Sequence, residues 1–475
     1  MEKWEKLKAF NDKQIKEMQH TRMQDFFTQV ADRHPFYSRV FKDRGLGRDN
    51  LAGLNLEDLP FTSPEDMDGG DGKEGRMQRF QLAPPPVDAE AAPPKKKSFF
   101  GKLLKGSSDP EAPDPKENRL LQIFYAGDFR TRSIPLVYTS YDVERIKEGG
   151  RRLFDLWGLS RDDTMVNAFS YAPHLGFWQV FYGGLEQGST LLQSGGGRVL
   201  GTEKILTALE NMEAEVLFAS PLYAKHLLQA AIKFEVDIKN LTTVVLGMEP
   251  ASREMVERVK DLMEMAGTAG NRVLRSLSLT EVKTSWGECE GGHGLHIQPD
   301  LHHVEVVDPA SGKALGEGQG GEIVITHLDA RGTCLIRYRP GLLATGGISY
   351  GACSCCGTSL PRLTGELEEA GNMVALKGPE GEEVVVNLEE VTRRLDGEKT
   401  LLLWQGSVGA REGGKPLITI AGTWFNRDDS PAVALAEALA QKHGVDTVFT
   451  TETYTNLVNR LELETGFLSK RWVKE

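Results

Sequence analysis

The sequence has no long apolar run: nowhere in its 475 residues do about 18 apolar residues follow one another, so no segment is suited to span a membrane as a helix. The opening stretch, MEKWEKLKAFNDKQIKEMQ, also lacks the apolar centre of a signal peptide. Basic residues are in the minority, with 56 Lys and Arg against 68 Asp and Glu. From the missing apolar segments we expect a cytoplasmic protein. Because nucleic-acid binding relies on clustered cations, we expect no nucleic-acid partner.

Cysteine is scarce, and its placement argues against a disulfide framework. The chain has five cysteines. Four of them form two compact groups: Cys289, which is followed by His296, and then Cys353, Cys355 and Cys356 in the stretch GACSCCG. Three cysteines within four residues suit a reducing compartment and a metal ion better than disulfide pairing. The two groups are therefore predicted to converge on one ion.

Composition divides the chain into four parts. Residues 1–67 have the spacing of amphipathic helices, with a helix start predicted at Ser63-Pro64. Residues 68–117 are rich in Gly, Pro, Ala and charge, which predicts a flexible insert. Within it, residues 95–105 (KKKSFFGKLLK) are read either as a solvated linker or as a weak contact site for a membrane or a protein.

The third part, residues 118–369, alternates β-rich runs such as EVLFAS and TTVVLG with helical patterns. This alternation predicts an α/β domain with a parallel sheet covered by helices. Three polar segments follow strands, namely SGGG (194–197), GMEP (247–250) and LTEV (279–282), where ligand sites of such sheets lie. HVEVVDPASGKALGEGQGGEIVIT predicts a β-hairpin, and residues 370–475 predict a small α+β domain.

The chain resembles the phenylacetate-CoA ligase branch of the adenylate-forming ligases. The segments that carry the resemblance are HPFYSRVFKDRGL, FSYAPHLGFWQVFYGG, ASPLYAKHL, VVLGMEPASREM, LTEV with ECEGGHGLH, CLIRYRP and CCGTSLPRLTG. It implies a large N-terminal α/β domain, a small mobile C-terminal domain and a homodimer. It also implies activation of a carboxylic acid by Mg-ATP to an acyl-adenylate, followed by transfer of the acyl group to CoA.

The same resemblance implies a role for individual residues. The expected nucleotide-binding residues are Gly247, Met248, Glu249, Pro250, Gly127, Arg132 and Arg339. The expected catalytic residues are Glu281, which would hold magnesium with a hard oxygen ligand, Thr280 and Lys470. The expected acyl-pocket residues are Tyr171, Leu175, Gly176 and Phe177.

The resemblance also sharpens the prediction for the metal. Cys289 and His296 are expected to join two cysteines of CSCCG, either Cys353 with Cys356 or Cys353 with Cys355. A Cys3His set of ligands is typical of a closed, structural zinc site.

Four positions depart from the family pattern. Asp128 lies in the phosphate loop, Leu342 replaces a ribose-binding aspartate, Glu366 follows the hinge glycine, and Phe467 falls where the adenylation lysine is expected. An aromatic ring cannot supply the positive charge that this lysine provides. The resemblance makes an aryl- or acyl-CoA ligase the main hypothesis, and the four departures motivate two alternatives. The alternatives are a catalytically impaired binding or scaffold module, and a protein that binds an acyl-CoA or acyl-adenylate made elsewhere.

Overall fold

The computed structural model describes residues 1–47, 50–51, 54–68, 76–84, 117–127, 134–171, 174–378, 382–410 and 416–474. Its helices are α1 (Trp4–Lys8), α2 (Asp12–Arg33), α3 (Tyr37–Asp43), α4 (Pro64–Asp68), α5 (Arg76–Arg79), α6 (Ser140–Leu156), α7 (Leu175–Gln187), α8 (Thr202–Asn211), α9 (Pro221–Phe234), α10 (Arg253–Met265), α11 (Leu388–Asp396), α12 (Pro431–His443) and α13 (Tyr454–Arg460). Within the described residues, no helix is both long enough and apolar enough to cross a membrane.

The strands are β1 (Leu120–Ala126), β2 (Ile134–Thr139), β3 (Thr164–Asn167), β4 (Thr190–Gln193), β5 (Val216–Ala219), β6 (Thr243–Leu246), β7 (Arg272–Leu279), β8 (Thr284–Glu288), β9 (Leu295–His296), β10 (His302–Val307), β11 (Gly321–His327), β12 (Leu342–Ala344), β13 (Ile348–Ser349), β14 (Arg362–Leu363), β15 (Leu367–Glu369), β16 (Met373–Lys377), β17 (Glu383–Asn387), β18 (Leu401–Ala410), β19 (Pro416–Trp424), β20 (Asp446–Thr451) and β21 (Trp472–Lys474).

A nine-stranded sheet forms the centre of the molecule, in the order β13-β14-β9-β8-β7-β6-β5-β3-β4. Strands β4, β3, β5, β6 and β7 are parallel, and β8 returns antiparallel to β7. On β5, Leu217 packs into one apolar cluster and Phe218 into another. Both faces of the sheet are therefore covered, which confirms the α/β prediction.

The remaining strands form smaller sheets. Strands β10, β11, β12 and β15 make a four-stranded antiparallel sheet, and the β10–β11 pair is the hairpin predicted from HVEVV and GEIVIT. Strands β16 and β17 form a ribbon, and β20-β19-β18-β21 form the sheet of the C-terminal domain. That domain packs on the large one, with Lys225 Nζ donating a hydrogen bond of 3.2 Å to the carbonyl oxygen of Leu401.

The N-terminal part is helical as predicted, and α4 begins at Pro64 with the Ser63 backbone N–H bonded to Asp66 Oδ2 at 2.8 Å. Residues 95–105 and most of the predicted insert lie outside the described residues. Residues 76–84 fall inside the predicted insert yet are packed on the large domain. Phe80 and Leu82 are almost fully buried, and their backbones bond to Cys334 and Gly332. The insert was predicted from the average composition of residues 68–117, which is dominated by Gly, Pro and charged residues. That average does not show that Phe80 and Leu82 are apolar enough to pack on the domain.

Helices α6 and α7 pack unusually close together beside the central sheet. A Cβ at Gly150 would lie 2.6 Å from Gly183 Cα, and a Cβ at Gly183 would lie 2.9 Å from the Gly150 carbonyl carbon. Helix α6 begins with a capping box, in which the Asp142 backbone N–H donates to Thr139 Oγ1 and the Thr139 backbone N–H donates to Asp142 Oδ2. The start of α6 is thus fixed by its cap, and the contact between Gly150 of α6 and Gly183 of α7 leaves no room for a methyl group on either residue.

Candidate active site and metal centre

A cavity of about 600 Å³ lies between the large and small domains. Its large-domain wall includes Gly127, His174, Arg198, Glu249 and Pro250. The other wall comes from residues 366–396 and from the C-terminal segment 462–472. We call it the interdomain cavity. Three residues predicted to bind nucleotide, Gly127, Glu249 and Pro250, meet there.

The GMEP loop leaves β6 in a conformation set by local packing. A Cβ at Gly247 would lie 2.4 Å from Ser276 Oγ, and Met248 has a φ of 68°. Met248 extends to helix α7, where a Cβ at Gly176 would lie 2.8 Å from Met248 Cγ. The loop therefore connects the cavity, through Glu249, with the predicted acyl pocket, through Gly176.

Glu249 is held by the opposite domain. The Ser469 hydroxyl donates to Glu249 Oε2 at 2.8 Å, and the Ser469 backbone N–H donates to Glu249 Oε1 at 2.5 Å. Burial raises the pKa of Glu249, and these two hydrogen bonds oppose that shift. The predicted nucleotide loop is thus tied to the segment that carries Phe467.

The LTEV motif forms the turn between β7 and β8. Thr280 Oγ1 accepts a hydrogen bond of 3.1 Å from the backbone N–H of Leu175, at the start of α7. Glu281 Oε1 accepts a hydrogen bond of 3.1 Å from the Tyr338 hydroxyl. Burial raises the pKa of Glu281 against hydrogen bonds from its own backbone and from Tyr338. A carboxylate in this state is stabilised by a nearby cation.

The predicted acyl-pocket residues lie together at the start of α7. Leu175, Gly176 and Phe177 are buried, whereas Tyr171 is half exposed. The Tyr171 ring contacts the Phe177 ring edge-on, with centroids 5.3 Å apart. These residues form an aromatic and apolar surface beside Met248 and next to the cavity residue His174.

Two predicted residues are engaged in ion pairs. Lys470 lines the cavity, but its Nζ lies 2.6 Å from Glu462 Oε1. Arg339 does not line the cavity, and its Nε donates to Glu322 Oε1 at 2.9 Å. The sequence did not predict either ion pair. In each case the carboxylate, Glu462 or Glu322, lies more than one helical turn away along the chain and is brought close only by the fold. Arg132 and Asp128 lie outside the described residues.

Leu342 is buried in the second sheet, where no hydrogen bond to a ligand can come from its side chain. Its register partner across the β12–β15 ladder is Glu369, an exposed residue that lines the cavity. Glu366 also lines the cavity, and it is paired with Arg275 at 2.9 Å and Arg253 at 3.2 Å. Sequence reasoning identified the loss at Leu342 but missed the carboxylate beside it.

Lys283 was also missed in the sequence. Its Nζ lies 3.0 Å from Asp142 Oδ2, and both side chains are buried. Its backbone φ is 63°, and its ion pair with Asp142 links the end of the LTEV turn to the first turn of α6. The only signal in the sequence was a lysine two residues after Glu281. Its buried partner, Asp142, lies 141 positions away and cannot be predicted from the spacing of residues.

Four of the five metal-ligand candidates lie close together in space. One ligand atom each from Cys289, His296, Cys353 and Cys356 lies within 4.8 Å of the others. Cys289 Sγ is 3.7 Å from Cys353 Sγ, and Cys356 Sγ is 3.7 Å from His296 Nε2. Tetrahedral zinc with Zn–S of ~2.3 Å and Zn–N of ~2.0 Å separates such ligands by ~3.8 Å (S to S) and ~3.5 Å (S to N). The donor set therefore fits zinc.

Cys355 lies outside that group. Its thiol is exposed and its Sγ accepts a hydrogen bond of 3.1 Å from the Gly291 backbone N–H. The turn after Cys353 explains the selection, because the Cys353 backbone N–H bonds to Thr358 O at 2.8 Å and the Gly357 N–H bonds to Cys353 O at 2.9 Å. Of the two pairs that the sequence left open, the geometry selects Cys353 with Cys356.

Comparisons with known proteins agree with this fold. No protein-family model matches the chain. A phenylacetate-coenzyme A ligase of Thermus thermophilus is 25% identical over 376 residues, which span 78% of this chain and 74% of the relative. A phenylacetate-coenzyme A ligase of Escherichia coli is 26% identical over 208 residues, or 42% of this chain and 46% of the relative.

A solved structure of 2-hydroxyisobutyryl-CoA ligase, in the postadenylation state with R3-HIB-AMP, superposes with a TM-score of 0.77 at 16% identity. It covers 99% of this chain and 92% of that one. The same ligase in the thioesterification state gives a TM-score of 0.63. The fold is that of an adenylate-forming ligase, with a large N-terminal and a small C-terminal domain. In sequence the chain is similar to phenylacetate-coenzyme A ligases, at 25–26% identity.

Proposed function

We propose that this chain is an acid-CoA ligase: it converts an aryl or acyl carboxylic acid to an acyl-adenylate with Mg-ATP and then passes the acyl group to CoA. The observation that carries the proposal is the interdomain cavity, where Gly127, Glu249 and Pro250 meet the C-terminal segment. The similarity to phenylacetate-coenzyme A ligases along most of the chain supports it.

In the first half-reaction, a carboxylate oxygen of the acid attacks the α-phosphorus of ATP and pyrophosphate leaves. The position of the small domain over the cavity limits access of water to the adenylate, which would otherwise be hydrolysed. We assign Glu281 to the magnesium ion that accompanies ATP, since a hard divalent cation prefers carboxylate oxygens. Thr280 holds the start of α7 against this turn through its hydrogen bond with Leu175.

We assign recognition of the ribose to Glu369. Its neighbour on the ladder, Leu342, has no acceptor, whereas the Glu369 carboxylate lines the cavity on the same edge of the sheet. A carboxylate can accept hydrogen bonds from two hydroxyl groups. The register of the β12–β15 pair thus offers a replacement for the acceptor lost at Leu342.

We assign the acid to the surface formed by Tyr171, Phe177 and Met248, next to Gly176 and Leu175. These side chains are aromatic or apolar, so they favour a hydrophobic acid over a small polar one. Glu249 and Pro250 lie on the nucleotide side of the same loop. The order of residues along the loop supports binding of the acid and the nucleotide on opposite sides of Met248.

We also propose that Cys289, His296, Cys353 and Cys356 hold a structural zinc ion. Four protein ligands leave no open position on the metal, so the ion would fasten the loop after β8 to the loop before β14 and supply no chemistry to the reaction. A cytoplasmic location, a homodimer and a contact through residues 95–105 remain predictions from the sequence and the resemblance.

The test of the proposed function is release of pyrophosphate by the purified protein with Mg-ATP and a panel of aryl and fatty acids, followed by detection of the CoA thioester. We expect at least one acid to give turnover, and we expect Glu281→Gln to abolish it. Absence of pyrophosphate across the panel, from protein that is folded and loaded with metal, would refute the ligase. The comparisons do not favour the binding or scaffold alternative, and such a result would restore it.

A further inference from the structure

The chemistry of adenylation requires a positive charge beside the α-phosphate. When the carboxylate oxygen bonds to phosphorus and the bond to pyrophosphate breaks, negative charge concentrates on the phosphoryl oxygens. Fixed donors and cations aimed at that charge are usually the largest single source of rate enhancement. Phe467 cannot supply such a charge.

The described part of the cavity wall contributes four cations, and three of them are paired with carboxylates. Arg393 lies 2.5 Å from Glu368, Lys470 lies 2.6 Å from Glu462, and Arg471 lies 2.6 Å from Asp396. Arg198 also lines the cavity, and within the described residues it has no carboxylate partner. Among the described cations of this wall, Arg198 is therefore the one that can respond to an incoming phosphate without breaking an ion pair.

Arg198 is positioned by the loop after β4. Gly195 and Gly196 have φ values of 70° and 73°, a conformation that side chains other than glycine rarely adopt. This turn brings the Arg198 guanidinium over the Phe467 ring, 4.6 Å from its centroid. A planar guanidinium on an aromatic face is a favourable cation–π contact. The His174 ring approaches the same phenyl ring at 6.2 Å, edge-on.

We propose that Arg198 is a catalytic residue, which supplies the positive charge for adenylation that Phe467 cannot, and that Phe467 acts as the platform that orients it. This inference rests on the proposed ligase function. A guanidinium can donate two parallel hydrogen bonds to phosphoryl oxygens, whereas an ammonium acts as a single point charge. The aromatic residue at position 467 is then part of the site, and its presence is compatible with activity.

The experiment measures the two half-reactions separately. Arg198→Ala should lower kcat for pyrophosphate release by ~10²–10³-fold, the usual effect of removing one transition-state donor. The same variant, given a pre-formed acyl-adenylate and CoA, should make thioester at the wild-type rate. Arg198→Lys should retain part of the adenylation rate. Arg161→Ala, which alters an exposed arginine that does not line the cavity, is the matched control.

A second variant protects the test against simple loss of folding. Arg198→Ala combined with Phe467→Lys restores a cation from the other side of the cavity, and it should regain at least tenfold of the lost adenylation rate. Equal losses in both half-reactions, or an unchanged Arg198→Ala enzyme, would overturn the inference alone. A wild-type protein that releases no pyrophosphate with any acid would overturn the proposed function and this inference together.

Discussion

The Cys/His cluster gives the sharpest test, because two neighbouring cysteines have different predicted roles. We expect one zinc ion per chain, held by Cys289, His296, Cys353 and Cys356. Two of the separations between its ligand atoms are 3.7 Å, which is close to the spacing in a tetrahedral zinc site. Structural zinc binding is worth ~10–16 kcal/mol. Shared among four ligands this is about 3 kcal/mol each, or roughly 10²–10³-fold in affinity.

The perturbation is Cys356→Ala, and the matched control is Cys355→Ala. Zinc content is measured by mass spectrometry after dialysis against a weak chelator, and thermal unfolding is followed with and without a strong chelator. Cys356→Ala should lose its metal and melt at the temperature of the chelated wild type. Cys355→Ala should keep one zinc and the wild-type melting temperature. Equal zinc content in the two variants, or metal loss in the Cys355 variant alone, would refute the assignment of ligands.

Two further predictions concern the nucleotide site and the turn beside it. Glu369→Gln should raise KM for ATP about tenfold, because one charge-assisted hydrogen bond to the ribose is weakened. The rate of thioester formation from a supplied acyl-adenylate should stay within twofold of the wild-type rate. Glu383→Gln, on the separate β17 strand, is the control for steady-state kinetics, and an unchanged KM for ATP in Glu369→Gln would contradict the assignment. Burial alone would raise the pKa of Asp142, but Lys283 and hydrogen bonds from the backbone lower it below its ordinary value, so its contribution to stability is present at neutral pH and is lost as the pH falls through the depressed pKa. Lys283→Met should therefore cost about 3–5 kcal/mol in urea unfolding at pH 7, and progressively less as the pH falls below the ordinary aspartate pKa of about 3.9. Lys260→Met, which breaks an exposed pair, should cost under ~1 kcal/mol. A Lys283→Met deficit that stays constant down to that acidic range would contradict the pairing.

Much of the fold could be predicted from local pattern. The run from β3 to β7 alternates apolar strands with helices, and such a pattern has few packing solutions. The β10–β11 hairpin and the helix start at Pro64 followed from turn and capping residues that act over a few positions. Residues 76–84 could not be separated from the insert, because only the folded domain shows that Phe80 and Leu82 have a place to pack.

The site was harder to predict, for reasons that differ from residue to residue. Their places directly after strands marked the GMEP and LTEV segments as candidates, and the family resemblance assigned a role to Glu281 and to the GMEP loop. Arg198 follows the SGGG segment, but its role depends on Phe467, which lies 269 positions further along the chain. The choice between Cys355 and Cys356 depended on the direction of one turn, which the spacing of adjacent residues does not fix.

The contact between Gly150 and Gly183 sets a limit on how this protein can change its preferred acid. Helix α7 carries three of the proposed acid-binding residues in its first turn, and the contact between the α6 and α7 backbones restricts sliding or tilting of α7 along α6. New substrate preferences must then arise by exchanging side chains in the segments that flank the helix, such as those bearing Tyr171 and Met248. Directed evolution of this scaffold should accordingly leave the glycine pair untouched and collect its useful mutations in loops.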